Sequence, residues 1–126
     1  MLVIRACAAF DLVVTGLFAL PFSARIFVAT LYALDRALGG NLATPQLGDL
    51  GAFFTNLAGI LGVLWALVRL YRPERFLARA DALGRCAVAA LLAWYLASES
   101  VPDVLWLFVA TELGGAVAQW WVTRRQ

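Results

Sequence analysis

The chain of 126 residues is 63% hydrophobic and has a mean hydropathy of +0.84, well above soluble domains, in which roughly 45–50% of residues are apolar. All ten basic residues are arginine, and the formal net charge of +2 is too small to indicate binding to nucleic acid. Histidine is absent, so the commonest general base and metal ligand is missing, and the sequence predicts no metal site and no cofactor.

Four apolar segments have about the length that a membrane-spanning helix needs, since roughly 20 helical residues cross about 30 Å of hydrocarbon. They cover residues 2–20, 52–70, 82–97 and 104–122. We therefore predict an all-α fold, in which residues 1–126 form one four-transmembrane-helix bundle surrounded by the lipid bilayer.

The segment between the first two spans, residues 22–38, has a helical pattern that ends at two glycines. Its charged residues make it a poor lipid-facing span, so we predict an interfacial helix across the outer mouth of the bundle. These charged residues are Arg25, Asp35 and Arg36. The alternative is a first span that continues through a kink at Pro21. A cleaved signal peptide is a further alternative, and Asp11 inside its apolar region argues against it.

The positions of the arginines predict the orientation. In a four-span bundle, eight of the ten arginines fall on one side, while Arg25 and Arg36 fall on the other; the eight are Arg5, Arg69, Arg72, Arg75, Arg79, Arg85, Arg124 and Arg125. Because arginine-rich loops stay in the cytoplasm, we predict an integral protein of the bacterial inner membrane with both termini in the cytoplasm.

The two cysteines, Cys7 and Cys86, lie near the cytoplasmic ends of the first and third spans. Their matching depths allow a redox or metal pair, but the sequence has no CxxC motif and no second pair of ligands. We therefore interpret them as reduced thiols that serve as small apolar side chains.

Two acidic residues interrupt the first and last spans at similar depths. At 1.5 Å per helical residue, Asp11 lies about 12 Å and Glu112 about 15 Å from the inner ends of their spans. Arg85 begins near the inner end of the third span, and its long side chain can extend toward both acids. Asn56, on the second span, is nearer the outer side.

Small or polar residues share the helix faces of these groups, which predicts that they point into the bundle. Gln119, for example, lies on the face of Glu112. The candidate ligand-binding or proton site therefore comprises Asp11, Asn56, Arg85, Glu112 and Gln119. Two interpretations stay open: a buried ion-pair network that fixes helix packing, and a functional site, as intramembrane acids often form.

Two further features have both a structural and a functional interpretation. The ladder of small residues Ala110, Gly114 and Ala118 serves either packing inside the bundle or self-association into a homo-oligomer. The arginine-rich link between the second and third spans fits anionic lipid head groups, although positive-inside bias alone would also place it there.

The order of motifs resembles the DoxX-like superfamily of small four-helix bacterial membrane proteins, including the group related to BphX. The motifs are TGLFALP at the end of the first span, FFTNLAGILGVLWAL in the second, RPERFLARADALGR before the third and FVATELGGA in the last. The resemblance implies a four-helix bundle with a small lipophilic ligand or a partner protein. Some members of the superfamily are linked to quinone or thiol redox systems, for which this sequence shows no cofactor ligand.

Three classes of function follow from these features. The leading hypothesis is a non-enzymatic bundle that binds a lipophilic small molecule or a membrane partner through the internal polar site. The alternative is a proton-coupled small-molecule exporter resembling the small multidrug resistance proteins, in which, however, the essential glutamate lies in the first helix, where this chain has Asp11. The third is a membrane enzyme that uses an acid pair for proton transfer.

Overall fold

A computed structural model describes residues 1–124, which form five α-helices, one short 3₁₀ turn and no strand. The all-α prediction is confirmed. Arg125 and Gln126, which belong to the predicted domain, lie outside the described residues. The helices are α1 (Leu2–Ala19), α2 (Pro21–Ala37), α3 (Asp49–Tyr71), α4 (Arg75–Ser98) and α5 (Trp106–Arg124), and the 3₁₀ turn (Asp103–Leu105) precedes α5.

A break at Leu20 separates α1 from α2. Leu20 has extended backbone angles (φ −110°, ψ 140°), and Pro21 occupies the first turn of α2, where its missing N–H leaves no hydrogen bond unmade. The helix predicted at residues 22–38 is therefore present as a helix of its own. Because the backbone is extended at the break, the two segments are not one kinked helix.

Helix α4 is longer than the predicted third span, since it begins at Arg75 and not at residue 82. Pro73 precedes it, and Glu74 occupies the N-cap position with extended backbone. Arginine, alanine and leucine dominate the added turns, and all three favour helix. The arginines lower the hydropathy of this segment without opposing its helicity, and so a search for apolar spans places the start of the helix too late.

The helices pack as two pairs, with α1 along α3 and α4 along α5, while α3 and α4 approach each other much less closely. Glycine allows the contact within the α1/α3 pair. A Cβ atom at Gly59 would lie only 2.4 Å from the backbone nitrogen of Ala19, and one at Gly62 only 2.5 Å from Cγ2 of Thr15. The backbones of α1 and α3 can therefore approach closely only because these positions lack a side chain.

Polarity is inverted relative to a soluble protein. Large apolar side chains on every helix are exposed, whereas the buried hydrophobic residues are mostly alanine, and Arg69 is the bulkiest of the fully buried side chains among residues 1–124. Exposed apolar surface on this scale is typical of a protein that contacts a membrane or another protein.

Two helices, α1 and α3, are long and apolar enough to cross a membrane, with mean hydropathies of 1.9 and 1.8. Helix α4 has a more polar first half, because Arg75, Arg79, Asp81 and Arg85 all lie there. Hydropathy thus identifies both helices of the α1/α3 pair as candidate spans and leaves α4 and α5 unassigned.

Asp35 joins the end of α2 to the start of α5. The residue is only 4% exposed, and its carboxylate accepts a hydrogen bond from the backbone nitrogen of Val104 at 3.2 Å. Gly39, with φ 103°, ends the helix, and a side chain at Gly40 would collide with the Asp35 carboxylate. Asp35 is thus a buried structural residue, although the sequence suggested a charge for the surface of an interfacial helix.

Candidate functional site

Arg85 on α4 contacts three carboxylates at once. Its Nη1 donates to Oε2 of Glu112 at 3.0 Å, its Nη2 to Oδ2 of Asp11, and its Nε to Oδ2 of Asp81 at 2.9 Å. The side chain contacts both acids, as expected, but Arg85 lies ten residues after the start of α4 at Arg75 and not near the end of its helix. Through Arg85, helix α4 is linked to α1 and α5.

Arg69 on α3 provides the second positive charge. Its Nη2 donates to Oδ2 of Asp11 and its Nη1 to Oδ2 of Asp81, both at 2.5 Å, and the side chain is 1% exposed. Arginine is almost never buried this completely unless it is paired. The sequence predicts only a topology signal at Arg69, because this residue stands at the end of an apolar run. Its position one helical turn after Trp65 and Ala66 is the signal that could have placed it on the inner face.

Asp81 is the most highly coordinated member of the site. Its Oδ1 accepts from Nε1 of Trp65 at 2.6 Å, and its Oδ2 accepts from Arg69, from Arg85 and, at 2.7 Å, from Nε2 of Gln119. A carboxylate offers about four acceptor positions, so Asp81 is saturated by donors from α3, α4 and α5. The sequence does not indicate this role, because Asp81 precedes the predicted third span, residues 82–97, and so falls in the link before it.

Of the five predicted site residues, Asp11, Arg85, Glu112 and Gln119 come together. Asn56 does not join them. Its Nδ2 donates to the backbone oxygen of Phe18 at 2.8 Å, which ties α3 to α1 toward the other end of the pair. We refer to Asp11, Arg69, Asp81, Arg85 and Glu112 as the polar cluster, with Trp65 and Gln119 as its neutral hydrogen-bond donors.

The polar cluster joins the two helix pairs. The α1/α3 pair supplies Asp11 and Arg69, and the α4/α5 pair supplies Asp81, Arg85 and Glu112. The ion pairs from Arg69 to Asp81 and from Arg85 to Asp11 both cross the boundary between the pairs. Since α3 and α4 pack loosely, charged contacts provide much of the cohesion at this level of the molecule.

Gly115 provides room for the central arginine. A Cβ atom at this position would lie 3.0 Å from Nη1 of Arg85, the same nitrogen that donates to Glu112. At the preceding residue, Gly114, a Cβ atom would meet nothing within 4 Å, so a side chain there would be harmless. Gly115 therefore leaves room for Arg85 in its present position, which Gly114 does not do.

A cavity of about 220 Å³ opens onto the polar cluster. All five charged residues line it, together with Trp65 and Val88. Asp11 and Glu112 each use one carboxylate oxygen for the arginines, and residues 1–124 supply no hydrogen-bond donor to Oδ1 of Asp11 or Oε1 of Glu112. Two buried atoms of the site, Nε of Arg69 and Oε1 of Gln119, also lack a partner within the described residues.

The formal charges of the polar cluster do not balance, since three carboxylates face two guanidinium groups. When all five groups are ionised, the cluster carries one excess negative charge. An uncompensated charge in a low-dielectric environment is strongly unfavourable, so the cluster has the capacity to take up one positive charge.

The described residues contain no set of three side chains placed to hold a metal ion. Cys7 and Cys86 are both free thiols, the second exposed on α4. In comparisons with known proteins, no family model, no curated protein and no solved structure matches this chain.

Proposed function

We propose that the chain is a four-span membrane protein that binds a small lipophilic molecule in the cavity at its polar cluster. The observation that carries this proposal is the pair of unused carboxylate oxygens, Oδ1 of Asp11 and Oε1 of Glu112, on the wall of a 220 Å³ cavity between two helix pairs. The resemblance to the DoxX-like superfamily points to the same class of ligand.

The outward faces of α4 and α5 support membrane spans in addition to α1 and α3. Helix α4 has 24 residues, or about 36 Å at 1.5 Å per residue, and its last 13 residues, 86–98, carry no charge. Both helices expose large apolar side chains, among them Leu91, Trp94, Leu107, Val117 and Trp121. With four spans, the arginine distribution favours cytoplasmic termini in a bacterial inner membrane, and α2 fits the outer interface.

The unsaturated carboxylates favour a binding site over a purely structural network. Buried polar groups are normally hydrogen-bonded, and Asp81 meets this expectation with four donors. Asp11 and Glu112 each keep one free oxygen and are the more exposed acids of the polar cluster, with side chains 16% and 21% exposed. The acceptor capacity that they retain suits a ligand that brings hydrogen-bond donors.

The cavity volume indicates the size of a ligand that would fill it. An apolar cavity of about 150 Å³ holds benzene, so 220 Å³ accommodates a single ring with a short polar arm. The volume therefore matches a small molecule of that size.

Mass spectrometry of protein purified in mild detergent tests the proposal. We expect a small molecule to accompany the wild-type chain and to be lost from Glu112→Gln under identical washing. Glu99→Gln is the matched control, because Glu99 is an exposed acid beyond the end of α4, and this variant should retain the molecule. Equal retention by all three proteins would contradict a role of Glu112 in binding.

The alternative of a proton-coupled exporter is supported by one observation, the excess negative charge of the polar cluster. A single proton would neutralise it, which is the property that coupling to a proton gradient requires. Flux of an organic cation into proteoliposomes under an imposed proton gradient is the direct assay, and Glu112→Gln should abolish that flux.

A further inference from the structure

A groove on the outer surface of the α4/α5 pair lies outside the polar cluster, none of whose five residues lines it. Its volume is about 340 Å³, and its lining includes Ala82 and Leu83 of α4 and Val117 and Trp120 of α5. We infer that this groove binds an anionic phospholipid, with the phosphate at Arg124 and one acyl chain between the two helices. The inference rests on the membrane placement of α4 and α5 in the proposed function, but not on the ligand at the polar cluster.

Small side chains form the floor of the groove. Ala82 and Ala116 are buried, at 3% and 5% exposed, so that α4 and α5 leave a depression above them. The walls are large apolar side chains that remain exposed, among them Leu83 at 64% and Val117 at 66%. A depression with an alanine floor and apolar walls suits a hydrocarbon chain, since both surfaces are then removed from polar surroundings.

Positive charge is concentrated at one end of the groove. Arg124 lines the groove itself, and its guanidinium carbon lies 5.6 Å from the centre of the Trp120 ring, within the range of a cation–π contact. On α4, Arg79 precedes Leu83 by one helical turn. Its Nη2 donates to the backbone oxygen of Thr123 at 3.4 Å, which holds it beside the end of α5. Two guanidinium groups thus flank the mouth of the groove from opposite helices.

These two arginines form no ion pair within residues 1–124. By contrast, Arg72 in the nearby link lies 3.7 Å from Oε1 of Glu74. A guanidinium group has five N–H donors, of which Arg79 uses one, while Arg124 donates to no acceptor in the same part of the chain. The remaining donors suit the oxygens of a phosphate group, which arginine binds in a bidentate manner.

The groove has the polarity of a lipid in the cytoplasmic leaflet. Arg124 follows Ala116 by eight residues, or about 12 Å along the helix, so the charged end and the apolar floor follow one another as head group and acyl chain do. The orientation proposed from the arginines puts the charged end on the cytoplasmic side, where the membrane surface is negative. Basic pockets between membrane helices on this side are known to bind anionic head groups.

Positive-inside bias alone does not explain this arrangement. That bias puts arginines in the link and after the last span, but it does not require an apolar depression that ends at one of them. Here Arg124 is stacked on a wall of the groove, and alanine forms the floor. An apolar groove that ends at unpaired positive charge is the combination that points to a lipid.

A second copy of the chain fits the groove less well than a lipid. Two copies in the same orientation, packed groove to groove about a twofold axis, would bring Arg79 and Arg124 of both copies to the same depth. Arginines without acidic partners would then approach one another, which is unfavourable. A phospholipid instead supplies the negative charge that these arginines lack.

Cys86 reports on the groove directly, because it lines the groove and is exposed. The test uses the full chain in a non-ionic detergent and the neutral reagent N-ethylmaleimide, with Cys7 on α1 as the internal reference. We expect dioleoyl-phosphatidylglycerol to slow modification of Cys86 relative to Cys7 at lower concentrations than dioleoyl-phosphatidylcholine. Glycerol phosphate, which lacks the acyl chains, should not protect Cys86. Native mass spectrometry should show the same preference as bound lipid.

Matched substitutions assign the preference to the mouth of the groove. Arg124→Gln should weaken binding of phosphatidylglycerol about fivefold, since one arginine near an anionic surface contributes about that factor, and should leave binding of phosphatidylcholine unchanged. Arg72→Gln removes an equal charge at a side chain that is paired with Glu74 outside the groove, and it should behave as wild type. Leu83→Trp narrows the groove at an exposed wall and should reduce the binding of both lipids.

Three results would overturn the inference. Equal protection by the two phospholipids, or equal losses in Arg124→Gln and Arg72→Gln, would show that the groove does not select an anionic head group. Protection by glycerol phosphate as strong as that by phosphatidylglycerol would show that a free phosphate is bound and that the acyl chain is not. Protection that rises with protein concentration in lipid-free detergent, together with a dimeric mass, would show that the groove is a contact between copies.

The same samples separate this inference from the proposed function. Glu112→Gln should bind phosphatidylglycerol as wild type does, because Glu112 does not line the groove. If no small molecule accompanies the purified protein but phosphatidylglycerol protects Cys86, the proposed ligand of the polar cluster fails and the lipid site stands. If the small molecule is present and neither lipid protects Cys86, the lipid site fails and the proposed ligand stands.

Discussion

Arg69 and Asp81 form a buried ion pair between the two helix pairs, with Nη1 and Oδ2 2.5 Å apart and side chains only 1% and 7% exposed. The pair is joined at Asp81 by Arg85, Gln119 and Trp65. Because α3 and α4 otherwise approach each other little, this contact has a direct bearing on the stability of the whole molecule.

Asp81→Asn should destabilise the protein by about 3–5 kcal/mol, because it leaves two buried arginines with one carboxylate fewer. Unfolding in detergent, followed by circular dichroism, measures the loss. Asp49→Asn is the control, since Asp49 is fully exposed and lies 3.9 Å from Arg25, and it should unfold like wild type. Equal effects of the two substitutions would show that the ion pair does not stabilise the fold.

Glu112→Gln should lower the free energy of unfolding by less than about 1 kcal/mol, in contrast to the larger loss expected for Asp81→Asn. Glu112 has one contact, and glutamine retains an oxygen that can accept from Arg85, while the cluster loses its excess charge. The same unfolding assay provides the comparison. A loss as large as that of Asp81→Asn would favour the interpretation of Glu112 as part of a purely structural network.

Gly59→Ala should separate α1 from α3. The new Cβ would lie 2.4 Å from the backbone nitrogen of Ala19. Because the backbone cannot move aside as a side chain can, we expect the free energy of unfolding to fall by about 1–3 kcal/mol. Gly16→Ala is the matched control on α1, because nothing lies within 4 Å of its Cβ position. If both variants unfold at the same temperature, the close packing of α1 on α3 is not a source of stability.

Gly115→Ala should weaken ligand binding more than it weakens folding. Its Cβ would lie 3.0 Å from Nη1 of Arg85, and this flexible side-chain end can shift by a few tenths of an ångström at small cost. The shift would disturb the contact with Glu112, and the protein should retain severalfold less of the co-purifying small molecule under identical washing. Gly114→Ala, whose Cβ meets nothing within 4 Å, should bind as wild type; a similar fall in both would argue against positioning by Gly115.

The sequence was sufficient to predict the helices and the acids that interrupt apolar runs, because an acid amid apolar residues is conspicuous. Asp11, Arg85 and Glu112 were recognised in this way and lie together. Arg69 and Asp81 were not, since charges at the ends of apolar runs are expected from topology alone. Their burial depends on α4 beginning at Arg75 and on the packing of four helices, which no local pattern records.

Asn56 shows the converse error. A polar residue on a face of small residues suggested a place in the site, but its amide is used to bind the backbone of α1 at Phe18. The depth of Asn56 along its helix, nearer the outer side than the acids, was a better guide than the polarity of its helix face. Polar groups within a helical bundle can bind backbone as readily as side chains.

Labelling of introduced cysteines tests the four-span topology. In a Cys7→Ala and Cys86→Ala background, Glu74→Cys lies in the link between α3 and α4, and Glu99→Cys lies just after α4. With four spans the two positions are on opposite sides of the membrane, so an impermeant maleimide added to intact cells should label position 99 and not position 74. If only α1 and α3 cross the membrane, α4 and α5 stay on the cytoplasmic side, and neither position is labelled until the membrane is permeabilised. Labelling of position 74 alone would reverse the orientation that the arginines predict.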